Sequence, residues 1–429
     1  TRREALSATQ PNLLNTMHWL MPQSLGARYA LRFCALRRCL LLIAFCLLPF
    51  EFAALAQTKR PAKTKNTAAP SAKPSAQFEQ LTQRADAARA AENLDEAVSL
   101  YLQALRLQPK WKEGWWYVGT IFYEGDRYVE GRDAFRNFIA IDSKFGPALS
   151  LLGLCEFQLK QYELALDHLQ RGNALGLGDN QELRLVARYH EAILHNRFAQ
   201  HELAYDALIK VIGIDNPAPD LLLALGLTML RMPYLPVEVP SDKREMTFKA
   251  GRAAYLAATN RTNEAAAEYR GLVAAYANEP GVHYAYGVFL LRGTPDDALA
   301  EFRRELELAP QHVAARLQIA FEYIKRGAHA EGKPYAEEAV RLAPELFATH
   351  NALGRILLEL GDVDRAIKEL ETGAKLAPTS PEMYFALARA YARAGRTQDA
   401  ARARAEFARL DKIRRAEREG IASDAKPQP

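Results

Sequence analysis

The chain has 429 residues, 49% hydrophobic and 25% charged, enough apolar material for a large core or an extended array. That balance excludes a wholly disordered chain, a collagen and a multi-span membrane protein, and four cysteines exclude a disulfide-built scaffold. The net charge of +5 is unevenly placed, with eleven Lys/Arg against two Asp/Glu in 1–77, leaving 45 against 49 in 78–429. The body is therefore mildly acidic, which argues against a nucleic-acid surface, because phosphate binding needs a basic stripe.

The first predicted element is a leader. Arg28, Arg32, Arg37 and Arg38 precede an apolar run from Cys39 to Phe50, and Ala54-Leu55-Ala56 follows. A basic flank, a short apolar core and an A-x-A triplet are the parts of a secretory signal, with cleavage after Ala56. Residues 1–56 are read as an N-terminal extension and signal peptide, with Met17 and Met21 as candidate starts. The alternative is an uncleaved membrane anchor, but a spanning helix wants about 20 apolar residues and this run is shorter and contains Pro49. Export would remove Cys34, Cys39 and Cys46. Cys155 would remain, in an apolar run where it reads as a buried thiol. Residues 57–77 lack large apolar side chains and are expected to form a disordered, basic Pro/Ala/Lys linker.

Beyond the linker the sequence repeats. The segments LELAP, VRLAP and AKLAP end at Pro310, Pro344 and Pro378, both intervals being 34 residues, and LRLQP ends likewise at Pro109. Counting each Pro as position 32, position 20 is Ala97, Ala298, Gly332 and Ala366, and position 8 includes Ala85, Ala320 and Gly354. Apolar residues at three- and four-residue spacing give two amphipathic helices per unit. Small residues at positions 8 and 20 let them approach, and the proline ends the second helix. One pair cannot bury its own apolar faces, so neighbours must stack into a solenoid.

These residues resemble the tetratricopeptide repeat (TPR) family, of the bacterial exported type. Trp115, Val118, Gly119 and Phe122 match its W-x2-L-G-x2-Y core, with Gly131 and Phe135 in the second helix. Leu353-Gly354, Ala366 and Pro378 match again. The resemblance covers 78–410 in pieces and implies an all-α, right-handed superhelical solenoid of antiparallel helix pairs. Units are expected at 78–111, 112–145, 146–179 and a degenerate 180–213, then at 279–312, 313–346, 347–380 and 381–411. Between them, 214–278 breaks the pattern. Asp220–Arg231 reads as one helix, the Pro-rich loop 233–242 as a hinge, a flap or a neutral insertion, helices resume near Lys243, and Asn263–Ala277 reads as another second helix. Asp399–Glu419 reads as a polar capping helix, with 412–429 as its end and a frayed tail.

No catalytic set emerges. His190 and His195 nearly copy H-E-x-x-H but stand five residues apart, off one helix face, and with His201 they read as solvated, not as metal ligands. No phosphate-cradling glycine loop and no G-x-S-x-G elbow occurs. The remote enzymatic alternative would use Glu238, Asp242, Lys243, Arg244 and Glu245 of the irregular segment, which lack a nucleophile–base pair. The reading is a scaffold without cofactor, catalytic residue or metal. The resemblance implies a protein or peptide partner on the concave face, in an envelope or secretion complex, in the periplasm or secreted. Membrane contact would come only through an uncleaved leader. Outward positions of the first helices give Trp116, Tyr123, Phe321, Lys325, Arg355, Arg389 and Arg393 as candidate contacts, aromatics and arginine being the residues that anchor interfaces. Thr82 and Asp86 stand where the family's chaperone-binding members carry a basic, Asn-rich clamp, so that role is not expected.

Overall fold

The computed structural model describes residues 75–212 and 217–424, so the expected signal peptide and nearly all of the linker lie outside the described residues. The chain divides into two compact units, Thr1–Arg184 and Leu185–Pro429. Among the described residues every regular element is a helix.

The first unit stacks three helix pairs: α1 (Ala76–Ala90) with α2 (Leu94–Leu107), α3 (Lys112–Glu124) with α4 (Tyr128–Ile141), and α5 (Gly146–Gln158) with α6 (Tyr162–Leu175). Helix α1 begins inside the expected linker, because the Ser75 hydroxyl accepts a bond from Phe78 N (3.2 Å) and supplies an N-cap. Within the pairs, Ala85, Ala97 and Ala134 are buried at the crossings, and Tyr101, Phe135 and Leu169 are fully enclosed. Each enclosed side chain of this size contributes roughly 1.5–3 kcal/mol, against the entropy of ordering the helices. Helix α5 is buried from Ala148 to Glu156, so it has no polar face to give to water. Cys155 is enclosed there, as expected, and burial pushes its thiol up.

The second unit contains α7 (Gln181–Arg197, most of which lies in this unit), α8 (His201–Ile209), α9 (Pro219–Met229), α10 (Ser241–Ala258) and α11 (Thr262–Tyr276). It continues with α12 (Val282–Leu290), α13 (Pro295–Leu308), α14 (Val313–Arg326), α15 (His329–Leu342), α16 (Phe347–Leu360), α17 (Val363–Leu376), α18 (Pro381–Arg393) and α19 (Thr397–Asp424). Pairs α12/α13, α14/α15, α16/α17 and α18/α19 follow the repeat. Helices α2, α13, α15 and α17 each end two residues before their proline, at Leu107, Leu308, Leu342 and Leu376. The last helix is one continuous rod of 28 residues, longer than the expected cap, and its Ala400, Ala403 and Leu410 are buried.

The turn inside every pair but α12/α13 is the same device. One residue adopts left-handed φ, and the next N–H reaches back five residues, as from Asn93 to Ala88 O (2.9 Å) and from Asp362 to Leu357 O (3.0 Å). The left-handed residues are Glu92, Asp126 and Lys160 in the first unit, then Ala199, Arg231 and Asn260, and Gly327, Gly361 and Gly395 near the C-terminus. In α12/α13, the Gly293 and Thr294 N–H groups bond back to Leu290 O with no left-handed residue.

The segment that breaks the repeat carries three helices, α9, α10 and α11, and what departs from the repeat is their connection and packing. Helix α10 lies against both α9 and α11. It meets α9 backbone to backbone: a Cβ at Gly226 would stand 1.8 Å from Thr247 O, and one at Gly251 1.7 Å from Leu222 O. The proline loop is pinned. Asn196 Nδ2 donates to Met232 O (2.8 Å) and Tyr234 O (3.0 Å), Glu238 accepts from Leu235 N (3.0 Å), and Leu235 and Val239 are buried.

Candidate binding site

The structure sorts the seven predicted contact residues into two groups. Tyr123 is buried and packs edge-on to Tyr128 at 5.9 Å, so the expected exposure is corrected: a partner cannot reach it. Trp116 is half-buried and caps an aromatic cluster with Phe135 (5.9 Å), Phe138 (6.0 Å) and Phe145 (5.4 Å). It holds α3 to α4 and to the start of α5. In both cases a large ring gains more by lying on neighbouring helices than by facing water.

The other five form two rows across the first helices of three successive pairs. Phe321, Arg355 and Arg389 recur at 34-residue intervals on α14, α16 and α18, and Lys325, Glu359 and Arg393 follow four residues later on each. Arg389 Nη2 donates to Glu359 Oε1 (2.6 Å), and Arg393 Nη1 donates to Leu358 O (2.8 Å) and stands 3.6 Å from Glu359 Oε2. Arg355 has no ion pair among the described residues. Burial, and next the Arg389 guanidinium, push it below its ordinary range. Phe321 packs its flank on the core between α14 and α16 and leaves part of its ring open. Lys325 is largely exposed, 3.8 Å from Glu322. These rows thus hold four cations and one carboxylate, which only Arg389 and Arg393 share, beside an apolar ring. Such a face attracts a segment carrying acidic groups next to apolar ones.

A second feature was missed by sequence reasoning. A cavity of about 560 Å³ opens among α8, α9, α10, α11, α12 and α14, a size suited to a small ligand. Its apolar wall includes Tyr269, stacked on Phe289 at 5.0 Å, together with Tyr284 and Val288. Arg231 closes one side. Its Nη1 donates to Glu202 Oε1 (2.7 Å) and weakly to the Tyr284 hydroxyl (3.5 Å), and its guanidinium lies 5.5 Å from the Tyr284 ring. His201 lines the same space and donates from Nδ1 to Asn196 Oδ1 (2.9 Å). Burial, and then the Arg231 charge, hold both His201 and neighbouring His312 down to about 4. Both are therefore neutral at pH 7.

The histidines expected to be solvated are buried. His190 donates from Nδ1 to Val186 O (2.8 Å), and burial holds it down to about 4. His195 donates to Gln200 Oε1 (2.6 Å). Helix α7 turns these positions inward, toward the pinned loop and α8. Among the described residues no group of three or more His, Cys, Asp or Glu is placed to hold a metal, and no helix is long and apolar enough to cross a membrane. The titratable residues of the irregular segment are scattered: Lys243 faces Glu279 (3.7 Å), and Glu245 pairs with Lys249 (3.4 Å). The available signal for the cavity was Arg231, a charge ending an apolar helix.

The tetratricopeptide repeat family profile matches residues 82–144, 317–381 and 351–412. No curated protein matches the chain. Among solved structures, MamA 41-end from Desulfovibrio magneticus RS-1 is similar at 18% identity over 40% of this chain and 96% of that one, with a TM-score of 0.35. MamA AMB-1 matches at 22% identity over 38% and 98%, with a TM-score of 0.35. The APC/C hetero-tetramer Cut9–Hcn1 matches at 14% identity over 78% and 66%, with a TM-score of 0.34. These identities are too low to carry those proteins' properties across.

Proposed function

The chain is a tetratricopeptide repeat protein, and we propose that it is an exported, non-enzymatic scaffold that binds an acidic segment of a partner protein across α14, α16 and α18. The observation that supports this most is the double row Phe321/Arg355/Arg389 and Lys325/Glu359/Arg393, where half-buried Arg355 feels the Glu359 charge but has no carboxylate within ion-pair distance among the described residues, while Glu359 pairs with two other arginines. A partner carboxylate at Arg355 would complete the row, and an apolar side chain would cover Phe321. Tyr123 drops out of the proposed contact set, and Trp116 acts through the packing of the first unit. Export rests on the leader at 28–56, and assembly of an envelope or secretion complex follows from export and scaffolding together.

A peptide-display selection on the whole chain tests the groove. Recovered segments should pair acidic with apolar residues. They should bind the Arg355→Glu/Arg389→Glu variant at least about tenfold more weakly, since each lost charge-assisted contact is worth roughly 1.5–3 kcal/mol. Circular dichroism would first establish that the variant keeps its helices. Segments without acidic residues, or equal binding to the variant, would remove these helices as the contact face. For export, the mature N-terminus in the envelope fraction should fall just after Ala56.

A further inference from the structure

We propose that the cavity beside Arg231 takes a small monocarboxylic acid with an aromatic or branched apolar body, and that Glu202 holds the seat of its carboxylate while the site is empty. The inference goes beyond the groove reading and uses none of its residues, so either can fail without the other.

Four observations carry it. First, Arg231 occupies the left-handed turn position that follows a first helix, as do Glu92, Asp126, Lys160, Ala199, Asn260, Gly327, Gly361 and Gly395. All of those are exposed, Asn260 at the cavity rim, and Arg231 alone is half-buried. Second, its guanidinium spends only Nη1, on Glu202 and Tyr284. Its remaining N–H groups have no hydrogen-bond partner among the described residues. That leaves most of the planar fork that matches a carboxylate. Third, the Arg231 side chain is 22% exposed and that of Glu202 71% exposed, so the acid sits at the mouth and can swing out while the base stays in place. Fourth, the walls supply the rest of the recognition: Tyr269, Tyr284 and Phe289 for an apolar body, and Gln318 and Asn263 for polar edges. Arg292 and Asp206 also face the space. With Glu202 displaced, two cations confront one acid there. A single carboxylate is then favoured, and Asp206 disfavours a second.

Calorimetry on the full chain with N-acetylphenylalanine, its C-terminal amide and N-acetyl-Gly-Gly-Phe tests this. Glu202→Gln should bind the acid about tenfold or more tightly than wild type does, because it no longer competes for the guanidinium, and the amide should bind both proteins about tenfold or more weakly than the acid. Arg231→Gln should lose acid binding. If that variant loses helicity, the Glu202→Gln and amide comparisons decide alone, since Glu202 is on the surface. Tighter binding of the tripeptide than of the single residue assigns the carboxylate to a chain terminus, and equal or weaker binding assigns it to a free acid. No gain on Glu202→Gln, or acid and amide binding alike, overturns the proposal.

Discussion

Helices α14–α18 and helices α9–α11 are made from the same local parts and do different things with them. In both, a first helix ends on a left-handed residue whose neighbour bonds back five positions, at Gly327 and Gly361 in one region and at Arg231 and Asn260 in the other. After Gly327 and Gly361 the second helix starts two residues later, and the turn stays in water. After Arg231 the chain runs through a pinned proline loop to Ser241, so α10 arrives at a different place and packs on α9 through glycine. Delaying one helix start converts an ordinary turn residue into the wall of a cavity. The lesson is that, in an array of near-identical pairs, connection length decides whether a turn charge is solvated or enclosed.

The largest test breaks the glycine contact. Gly226→Val places its Cβ against the Thr247 carbonyl, with backbone on both sides and nowhere to relax. It should destabilise by more than about 4 kcal/mol or prevent folding of the second unit, read by urea denaturation. Gly271→Ala on α11, where a Cβ would meet nothing within 4 Å, is the control. It should stabilise by about 1 kcal/mol through helix propensity alone. A mild effect at Gly226 would mean that α9 and α10 do not meet as closely as described.

The next test uses protons. His190, His201 and His312 surround the irregular segment and are held down to about 4, chiefly by burial. Each is neutral when folded and gains a proton when unfolded below about 6.5. Their contribution is therefore complete above that pH and is lost as pH falls toward 4, on the order of 3 kcal/mol for each at most. His283, in a regular pair, behaves oppositely. Its bond to Glu301 (2.5 Å) raises it, so its contribution is complete below about 6.5 and fades as pH rises through the raised value. Urea midpoints from pH 4 to 9 should peak near neutrality. His190→Phe should flatten the acid limb, and His283→Gln the alkaline one. An unchanged acid limb in the first variant would contradict the burial of His190.

How much of this was readable in the sequence follows the same division. The three prolines at 34-residue spacing, together with Pro109, placed four helix ends to within two residues, because a proline acts on its own chain. The rows at Phe321, Arg355 and Arg389 were readable because they are periodic. Trp116 and Tyr123 were placed on the right helix, but their rings lie on neighbours whose approach no single helix encodes. The buried histidines, the Gly226–Gly251 contact and the Arg231 cavity all depend on which helix follows the proline loop and where it lands. The loop's prolines announce an interruption without fixing that placement.

The smallest expected effect is also the most direct comparison of the two regions. Lys160 and Arg231 share one backbone role, with φ of 58° and 54°. A non-glycine residue in that conformation costs about 1 kcal/mol or more, relieved by glycine but partly offset by the entropy that glycine adds to the unfolded chain. Lys160 is exposed, so Lys160→Gly should stabilise by about 0.5 kcal/mol. Arg231→Gly receives the same backbone relief but loses the bond to Glu202 and the packing over Tyr284, worth roughly 1.5–3 kcal/mol for a charged hydrogen bond at a partly buried site. It should therefore destabilise by about 1 kcal/mol, opposite in sign to Lys160→Gly. Paired denaturation curves decide it. If both substitutions stabilise equally, Arg231 is only another turn residue, and the contrast between the regular pairs and the enclosed turn disappears.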